Sequence, residues 1–280
     1  MTRKTGTLYV VATPIGNLED ITLRALRILR EVDLIAAEDT RHTAKLLQHY
    51  GIQKLLLSYH EHNERRRTQE LLMLLRTGRS VALVSDAGTP GISDPGYQLV
   101  RACVEERIPV VPVPGPSAIL AALATSGLPT DRFLFAGFVP RKSSERRRFF
   151  EGLREERGTL ILFESPERIV ESLRDLRAVM GDRRVAVCRE LTKLHEEVFR
   201  GFVRDAIARL EAHPPRGEIT LVVEGAPPRS PEAEEAEQEL RRLLERGESV
   251  RDAAEAVAQA YGISRREAYR RALRIRGVEG

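Results

Sequence analysis

The chain has 280 residues, of which 42% are hydrophobic and 31% are charged, and its formal net charge is +4 at pH 7. This length and apolar content suffice for two domains with buried cores, which excludes an intrinsically disordered chain. No apolar run approaches the roughly 18 residues that a membrane-spanning helix needs. We therefore expect a cytoplasmic protein without a membrane segment.

Short apolar runs alternate with stretches of helical periodicity in the first half of the chain. The predicted strand and helix pairs are 8–12 with 22–31, 34–37 with 43–50, and 81–84 with 97–106. This rhythm predicts βαβ units and a mostly parallel sheet. A further strand at 110–113 is followed by Pro114, Gly115 and Pro116, which interrupt regular structure. We place the end of an N-terminal α/β domain, 1–114, at this point.

The second half restarts the same alternation and predicts a second α/β domain over 115–228. Its predicted strands are 133–138, 159–163, 185–188, 198–203 and 219–223. Ser165 followed by Pro166 and Glu167 is typical of a helix start, with Ser165 as the N-cap.

Helix-forming residues dominate 229–280, where Ser230, Ser249 and Ser264 each predict a helix start. The last two helices and the turn between them resemble a helix-turn-helix. The final helix carries Arg265, Arg266 and Arg270, which predict contacts with RNA phosphates. A packing appendage is an equally good interpretation, because nearby acidic residues offset this charge.

The strongest local signal is the segment 81–96, in which a buried strand leads into a loop rich in Gly, Pro and Asp. Ligands bind at such strand ends in α/β sheets, and glycines allow the backbone to approach them closely. We therefore predict a cofactor site there. The loops 113–118 and 13–17 are further candidates, although the first could be only a hinge. No GxGxxG or GxxxxGK[ST] phrase is present, which disfavours dinucleotide and P-loop sites.

The phrases VATPIGNLEDIT, AAEDTR, SDAGTPGISDPG, VPVPGPSA and FESPERI together resemble the tetrapyrrole-methylase superfamily over roughly residues 5–275. The resemblance implies an α/β fold of two domains with S-adenosylmethionine in the cleft between them, usually in a homodimer. It is strongest to the branch that methylates the ribose 2′-hydroxyl of a cytidine in 16S ribosomal RNA, within the 30S subunit. The segment 13–17 departs from the GPGDP-like phrase of the tetrapyrrole enzymes, which argues against a porphyrin-like acceptor.

Carried over to this chain, the resemblance implies cofactor contacts from both domains. The implied cofactor-binding residues are Ile15, Asp86, Thr89, Ile92, Ser93, Ser117, Ala118, Leu162, Phe163, Glu218 and Ile219.

A ribose hydroxyl is a poor nucleophile, so a carboxylate could assist as general base. The candidates are Glu38, Asp39 and Glu164, which lie at predicted strand ends. Alternatively, Asp39 caps the following helix and Glu164 pairs with an arginine. Exposed cations would hold RNA phosphates in this hypothesis. These candidates are Arg41, Arg141, Lys142, Arg146, Arg147 and Arg148.

Two histidines, His60 and His62, invite a metal-site interpretation, but adjacent strand positions without a nearby cysteine form a weak site, and we expect no metal. Lys193 and His195 could line the acceptor side of the cleft or lie on a solvated loop.

Two other functions stay open. One is methylation of another acceptor, such as a tetrapyrrole or a protein side chain, and the other is a non-catalytic role in RNA binding during assembly.

Overall fold

The computed structural model describes residues 5–227 and 231–277, which form two compact units that divide after Gly225. Within these ranges, no helix combines the length and apolarity that crossing a bilayer requires. The larger unit contains two five-stranded sheets, and the smaller unit contains three helices.

The first sheet is entirely parallel and has the order β3-β2-β4-β1-β5. Its strands are β1 (Leu8–Val11), β2 (Leu34–Ala37), β3 (Leu56–Ser58), β4 (Val81–Val84) and β5 (Val110–Val113). The helices between them are α1 (Leu23–Glu31), α2 (Thr40–His49), α3 (Glu64–Arg76) and α4 (Tyr97–Glu105). Helices α1 and α2 pack on one face of the sheet, and α3 and α4 on the other. Burial on both faces explains why these strands read as continuous apolar runs.

The predicted parallel sheet is confirmed, but sequence analysis missed β3 and α3. Strand β3 has only three residues, and α3 begins in a segment rich in arginine, where no apolar periodicity is visible. His60 and His62 lie at the turn between these two elements, so their prediction as strand residues was wrong.

The second sheet is mixed and has the order β6-β7-β10-β8-β9. Its strands are β6 (Phe133–Phe138), β7 (Thr159–Glu164), β8 (Arg184–Arg189), β9 (Glu197–Phe202) and β10 (Ile219–Val223). The helices of this half are α5 (Ala118–Ser126), α6 (Ser143–Leu153), α7 (Ile169–Met180) and α8 (Val203–Ala212). Strands β6 and β7 pair parallel, whereas the other three pairings are antiparallel. The second half therefore repeats the βαβ pattern only in part. Helices α6, α7 and α8 cover one face, and α5 covers part of the other.

Helix α7 begins later than its sequence indicates. Arg168 occupies the N-cap position, and residues 166–168 form a turn. The carbonyl of Ser165 accepts the N–H groups of Arg168 and Ile169 at 3.2 and 3.1 Å. The prediction of Ser165 as the N-cap was wrong. Arg168 is the N-cap, and the backbone carbonyl of Ser165 closes the turn that precedes α7.

The smaller unit consists of α9 (Pro231–Glu245), α10 (Val250–Tyr261) and α11 (Arg265–Ile275) around its own apolar core. The Ser249 and Ser264 side chains accept backbone N–H groups at 3.1 and 3.2 Å, which confirms both predicted caps. Gly262 ends α10 at φ 65°, a left-handed conformation that favours glycine. Ser230 and the predicted boundary at residue 228 lie outside the described residues, and the division at residue 114 stays a prediction.

Candidate active site

The loops that follow β1 and β4 are joined into one surface at the carboxyl edge of the first sheet. The Thr13 N–H donates to the Gly88 carbonyl at 2.9 Å, and the Gly88 N–H donates back at 3.1 Å. The Thr13 hydroxyl also donates to the Ser85 carbonyl at 3.0 Å. Gly88 has φ 78°, so a residue with a Cβ would be strained in this turn.

A cleft of about 640 Å³ opens between these loops and the second sheet. Its size lies within the range of about 300–1,000 Å³ that is usual for small-molecule sites. The first half contributes residues of the 87–94 loop, and the second half contributes the start of α5 and the adjoining parts of β6, β7 and β10. The cleft therefore lies where the polar loops of one sheet face an apolar surface of the other.

Nine of the eleven predicted cofactor residues line this cleft. They are Ile15, Thr89, Ile92, Ser93, Ser117, Ala118, Phe163, Glu218 and Ile219. Leu162 does not line it, because side chains alternate along a strand and this one is fully buried beneath α6, α7 and α8. Asp86 does not line it either, and its carboxylate accepts the Asp39 N–H at 3.1 Å. The prediction of Leu162 is corrected, and that of Asp86 stays a prediction.

The donor set of the cleft fits S-adenosylmethionine. Ile15 and Ile219 supply apolar surface for a purine ring, and the hydroxyls of Thr89 and Ser93 can bond to ribose or amino-acid groups. Glu218 supplies negative charge for a cationic ligand. The N-terminus of α5 also opens toward the cleft at Ser117 and Ala118, where a carboxylate is favoured.

Glu164 and Asp39 have the structural roles that were the alternatives to catalysis. Glu164 is buried, and its carboxylate accepts hydrogen bonds from the Ser165 N–H, the Arg168 guanidinium and the Ser172 hydroxyl. Asp39 is the N-cap of α2 and binds Arg41 at 2.7 Å. The hydrogen bonds from Arg41 lower the pKa of Asp39. Both carboxylates therefore have structural partners, Glu164 also lines the cleft, and a catalytic role for either stays a prediction.

Two other carboxyl groups, those of Glu38 and Asp94, have raised pKa values. Burial raises the pKa of Glu38, and the charges of Asp86 and Asp39 add to this shift. Burial and the charge of Glu38 raise the pKa of Asp94 to about 6, against a hydrogen bond from Ser85. Asp94 also lines the cleft. Sequence analysis noticed Asp94 only as part of a loop, and its spacing from Glu38 gave no signal of their proximity.

The basic cluster at the start of α6 divides into buried and exposed members. The Arg146 side chain is only 3% exposed and binds Asp175 at 2.6 Å, so its prediction as an RNA ligand is wrong. Arg147 also binds Asp175, at 2.7 Å, but is 60% exposed. Arg141, Lys142 and Arg148 are exposed, and so is Arg41 of the first half.

Acidic side chains contact several arginines of α11. Arg265 binds Glu255 at 2.7 Å, and Arg270 binds Glu267, whereas Arg266 is exposed without an ion pair among the described residues. All three predicted RNA contacts stay predictions.

Lys193, in the segment between β8 and β9, is held by two ion pairs. Its ammonium binds Glu190 at 2.9 Å and Glu218 at 3.1 Å, so it holds the start of β10 beside the cleft. His195 is exposed. Across residues 5–227 and 231–277, no group of three His, Cys, Asp or Glu side chains is arranged to hold a metal ion.

The chain matches two sequence families. The profile described as Tetrapyrrole (Corrin/Porphyrin) Methylases matches residues 7–207, and the profile described as RsmI C-terminal HTH domain matches residues 230–276.

Curated relatives and solved structures agree with these matches. The chain is 49% identical to a ribosomal RNA small subunit methyltransferase I of Synechocystis, with 96% of this chain and 98% of the relative covered. It is 55% identical to the protein of that name from Thermotoga maritima, over 79% of this chain and 99% of the relative. A crystal structure of diphthine synthase superposes with a TM-score of 0.61 at 16% identity, over 78% of this chain and 90% of that one, which supports the fold. The chain belongs to the tetrapyrrole methylase family.

Proposed function

We propose that the protein transfers a methyl group from S-adenosylmethionine to the ribose 2′-hydroxyl of a cytidine in 16S ribosomal RNA. The observation that carries this proposal is the cleft, lined by nine residues implied for the cofactor, in a chain whose relatives are named as methyltransferases of small-subunit ribosomal RNA. The finer assignment to a cytidine 2′-hydroxyl follows the family resemblance.

The cleft residues act mainly by positioning. When bound, S-adenosylmethionine would supply an electrophilic methyl group, which the acceptor oxygen would attack in line with the breaking bond to sulfur, with S-adenosylhomocysteine as the leaving group. Alignment of the reacting atoms can supply much of the acceleration of such a displacement. The loop at Thr89 and Ser93 and the start of β10 at Glu218 fix the donor side of this alignment.

Asp94 is our candidate for the proton acceptor. Its carboxylate lines the cleft, and its pKa of about 6 makes it a stronger base than an ordinary aspartate while leaving it ionised at neutral pH. It would receive the proton of the ribose hydroxyl as the oxygen attacks. The charge of Glu38 helps to keep this pKa raised.

The RNA partner is supported by exposed cations and by the C-terminal unit. Arg141, Lys142 and Arg148 are exposed after β6 and are suited to phosphate contacts, although Lys142 also binds Glu145 at 3.2 Å. The 230–276 match to an HTH family supports a second RNA contact in α11. We further propose a cytoplasmic homodimer that acts on the 30S subunit.

The test is to incubate the protein and labelled S-adenosylmethionine with unmodified 30S subunits, naked 16S rRNA and a porphyrinogen. Mass spectrometry then locates the methyl group. A 2′-O-methylcytidine in the RNA is the expected product. Label in the porphyrinogen would reject the RNA acceptor, and no label in any substrate would reject the activity.

A further inference from the structure

Four phenylalanines form one wall of the cleft, which we call the aromatic wall: Phe133, Phe135, Phe138 and Phe163. The Phe163 ring lies 5.0 Å from the Phe135 ring and 5.3 Å from the Phe138 ring, as measured between centroids. Such spacing is typical of interacting aromatic side chains. Phe135, Phe163 and Phe138 therefore form a continuous aromatic surface, and Phe133 lines the same cleft.

A β-bulge brings Phe138 onto this wall. Phe133 and Phe135 face the cleft by the two-residue period of β6, so a regular strand would turn Phe138 to the opposite face. The register between β6 and β7 shifts between Phe135 and Phe138, and Gly137 has φ 76°. Bulges redirect side chains in this way, often beside active sites.

The outer part of the wall is exposed although it is aromatic. Phe138 is 61% exposed and Phe133 is 42% exposed, and both lie on the edge strand of the sheet. Neither belongs to the residues predicted to hold the cofactor. Exposed aromatic surface inside a cleft is unusual unless a ligand covers it.

The surroundings of the wall favour a nucleotide as that ligand. The guanidinium of Arg168 lines the cleft and is held in place by Glu164 at 2.8 Å. Arg141 and Lys142 are exposed and follow Phe138 by three and four residues, and Lys142 binds Glu145 at 3.2 Å, so these cations lie close along the chain to the outer end of the wall. Rings that stack on a base next to cations that hold its phosphate are the usual arrangement for single-stranded RNA.

We propose that the aromatic wall stacks the unpaired base of the acceptor nucleotide, with Phe138 and Phe133 as its outer contacts. This inference rests on the proposed function, because it assigns the RNA side of the same cleft. The base leaves its stack in the RNA and lies on the wall, so that its ribose reaches the methyl donor.

The first test uses fluorescence, since the chain contains no tryptophan. Phe138→Trp places a single tryptophan on the wall, and Phe202→Trp is the matched control, because Phe202 is 39% exposed on the opposite edge strand. A short single-stranded oligocytidylate should quench the first tryptophan and leave the second unchanged. An abasic oligoribonucleotide should quench neither. Quenching by S-adenosylmethionine alone, with none by oligocytidylate, would assign the wall to the cofactor and overturn the proposal.

The second test measures methyl transfer to 30S subunits. Phe138→Ala should lower kcat/KM for the RNA substrate about tenfold to a hundredfold, the usual effect of losing one stacked base. The Kd for S-adenosylmethionine should stay unchanged, Phe138→Trp should retain activity, and Phe202→Ala should behave as the parent protein. Unchanged kcat/KM in Phe138→Ala would overturn the proposal, and so would loss of activity together with dissociation into monomers in sedimentation. If the unsubstituted protein methylates no RNA, the proposed function fails, while the fluorescence test still decides whether the wall binds a base.

Discussion

The carboxylates near the two sheets are held in opposite ways. At the second sheet, Glu164 of β7 and Asp175 of the adjoining helix α7 are buried and bound by arginines and serine hydroxyls. At the first sheet, Glu38, Asp86 and Asp94 lie close together, and within the described part of the chain neither Glu38 nor Asp94 forms an ion pair. A buried carboxylate with a counter-charge stabilises the fold, whereas half-buried carboxylates beside like charges, as Glu38 and Asp94 are, have raised pKa values that suit proton transfer.

Among the substitutions that test this contrast, we expect the largest effect from Asp175→Ala, which removes a buried carboxylate beside the second sheet. Burial alone would raise the pKa of Asp175, but hydrogen bonds from Arg147, Arg146 and Ser143 hold it below its usual value. Removing the carboxylate leaves the buried Arg146 guanidinium with only Glu171, at 3.8 Å, as an acidic partner, so we expect a loss of about 3–5 kcal/mol in the free energy of unfolding. Urea denaturation measures it.

The matched control for this substitution is Arg147→Ala, because Arg147 binds the same carboxylate from an exposed position. We expect it to change the free energy of unfolding by less than about 1 kcal/mol. Equal losses in the two variants would contradict the contrast between buried and exposed partners.

The activity of Asp94→Asn tests whether the raised pKa of Asp94 serves proton transfer. An amide cannot accept the proton, so methyl transfer should fall about a hundredfold or more, while binding of S-adenosylmethionine is retained. In the parent protein, kcat/KM should rise as the pH increases through about 6, since Asp94 must be ionised to act. Single-turnover methylation across a pH series measures both. A variant with full activity would remove Asp94 from the mechanism.

The stability of Asp94→Asn should change in the opposite direction from its activity. The pKa of Asp94 is about 6 when folded and 3.8 in the unfolded reference, so the folded protein retains this proton more strongly. The bound proton stabilises the folded state fully below pH 4, and this stabilisation is lost as the pH rises through 6. The uncharged amide avoids that loss, so the variant should be about 1–2 kcal/mol more stable than the parent protein at pH 7. The difference should disappear at pH 4, and a variant that is less stable at pH 7 would contradict the assignment.

Asp39→Ala should have the smallest effect. It removes the cap of α2 and the bond to Arg41, which lie on the surface. We expect the Tm to fall by about 2 °C with methyl transfer nearly unchanged. Asp39→Asn, which retains a capping side chain, is the control and should keep the Tm. A large loss of activity in Asp39→Ala alone would restore Asp39 as a catalytic candidate.

The sequence by itself determined the parallel first sheet and the loops that form the cleft, and the family resemblance supplied nine of the residues on its walls. Apolar runs mark strands that are buried on both faces, and loops dense in glycine and proline mark the strand ends where ligands bind. The caps at Ser249 and Ser264 were equally visible, because a cap depends on residues only three positions apart.

Only the tertiary structure decided the roles of particular side chains. A cluster of arginines in the sequence does not show that Arg146 faces a buried aspartate, and an apolar strand does not show that Leu162 faces the helices. The bulge at Gly137 changes which face Phe138 occupies, and the raised pKa of Asp94 depends on Glu38, a residue distant in the chain. Local patterns report periodicity and turn chemistry, whereas register, burial and the electrostatic surroundings of a charge depend on contacts between distant segments.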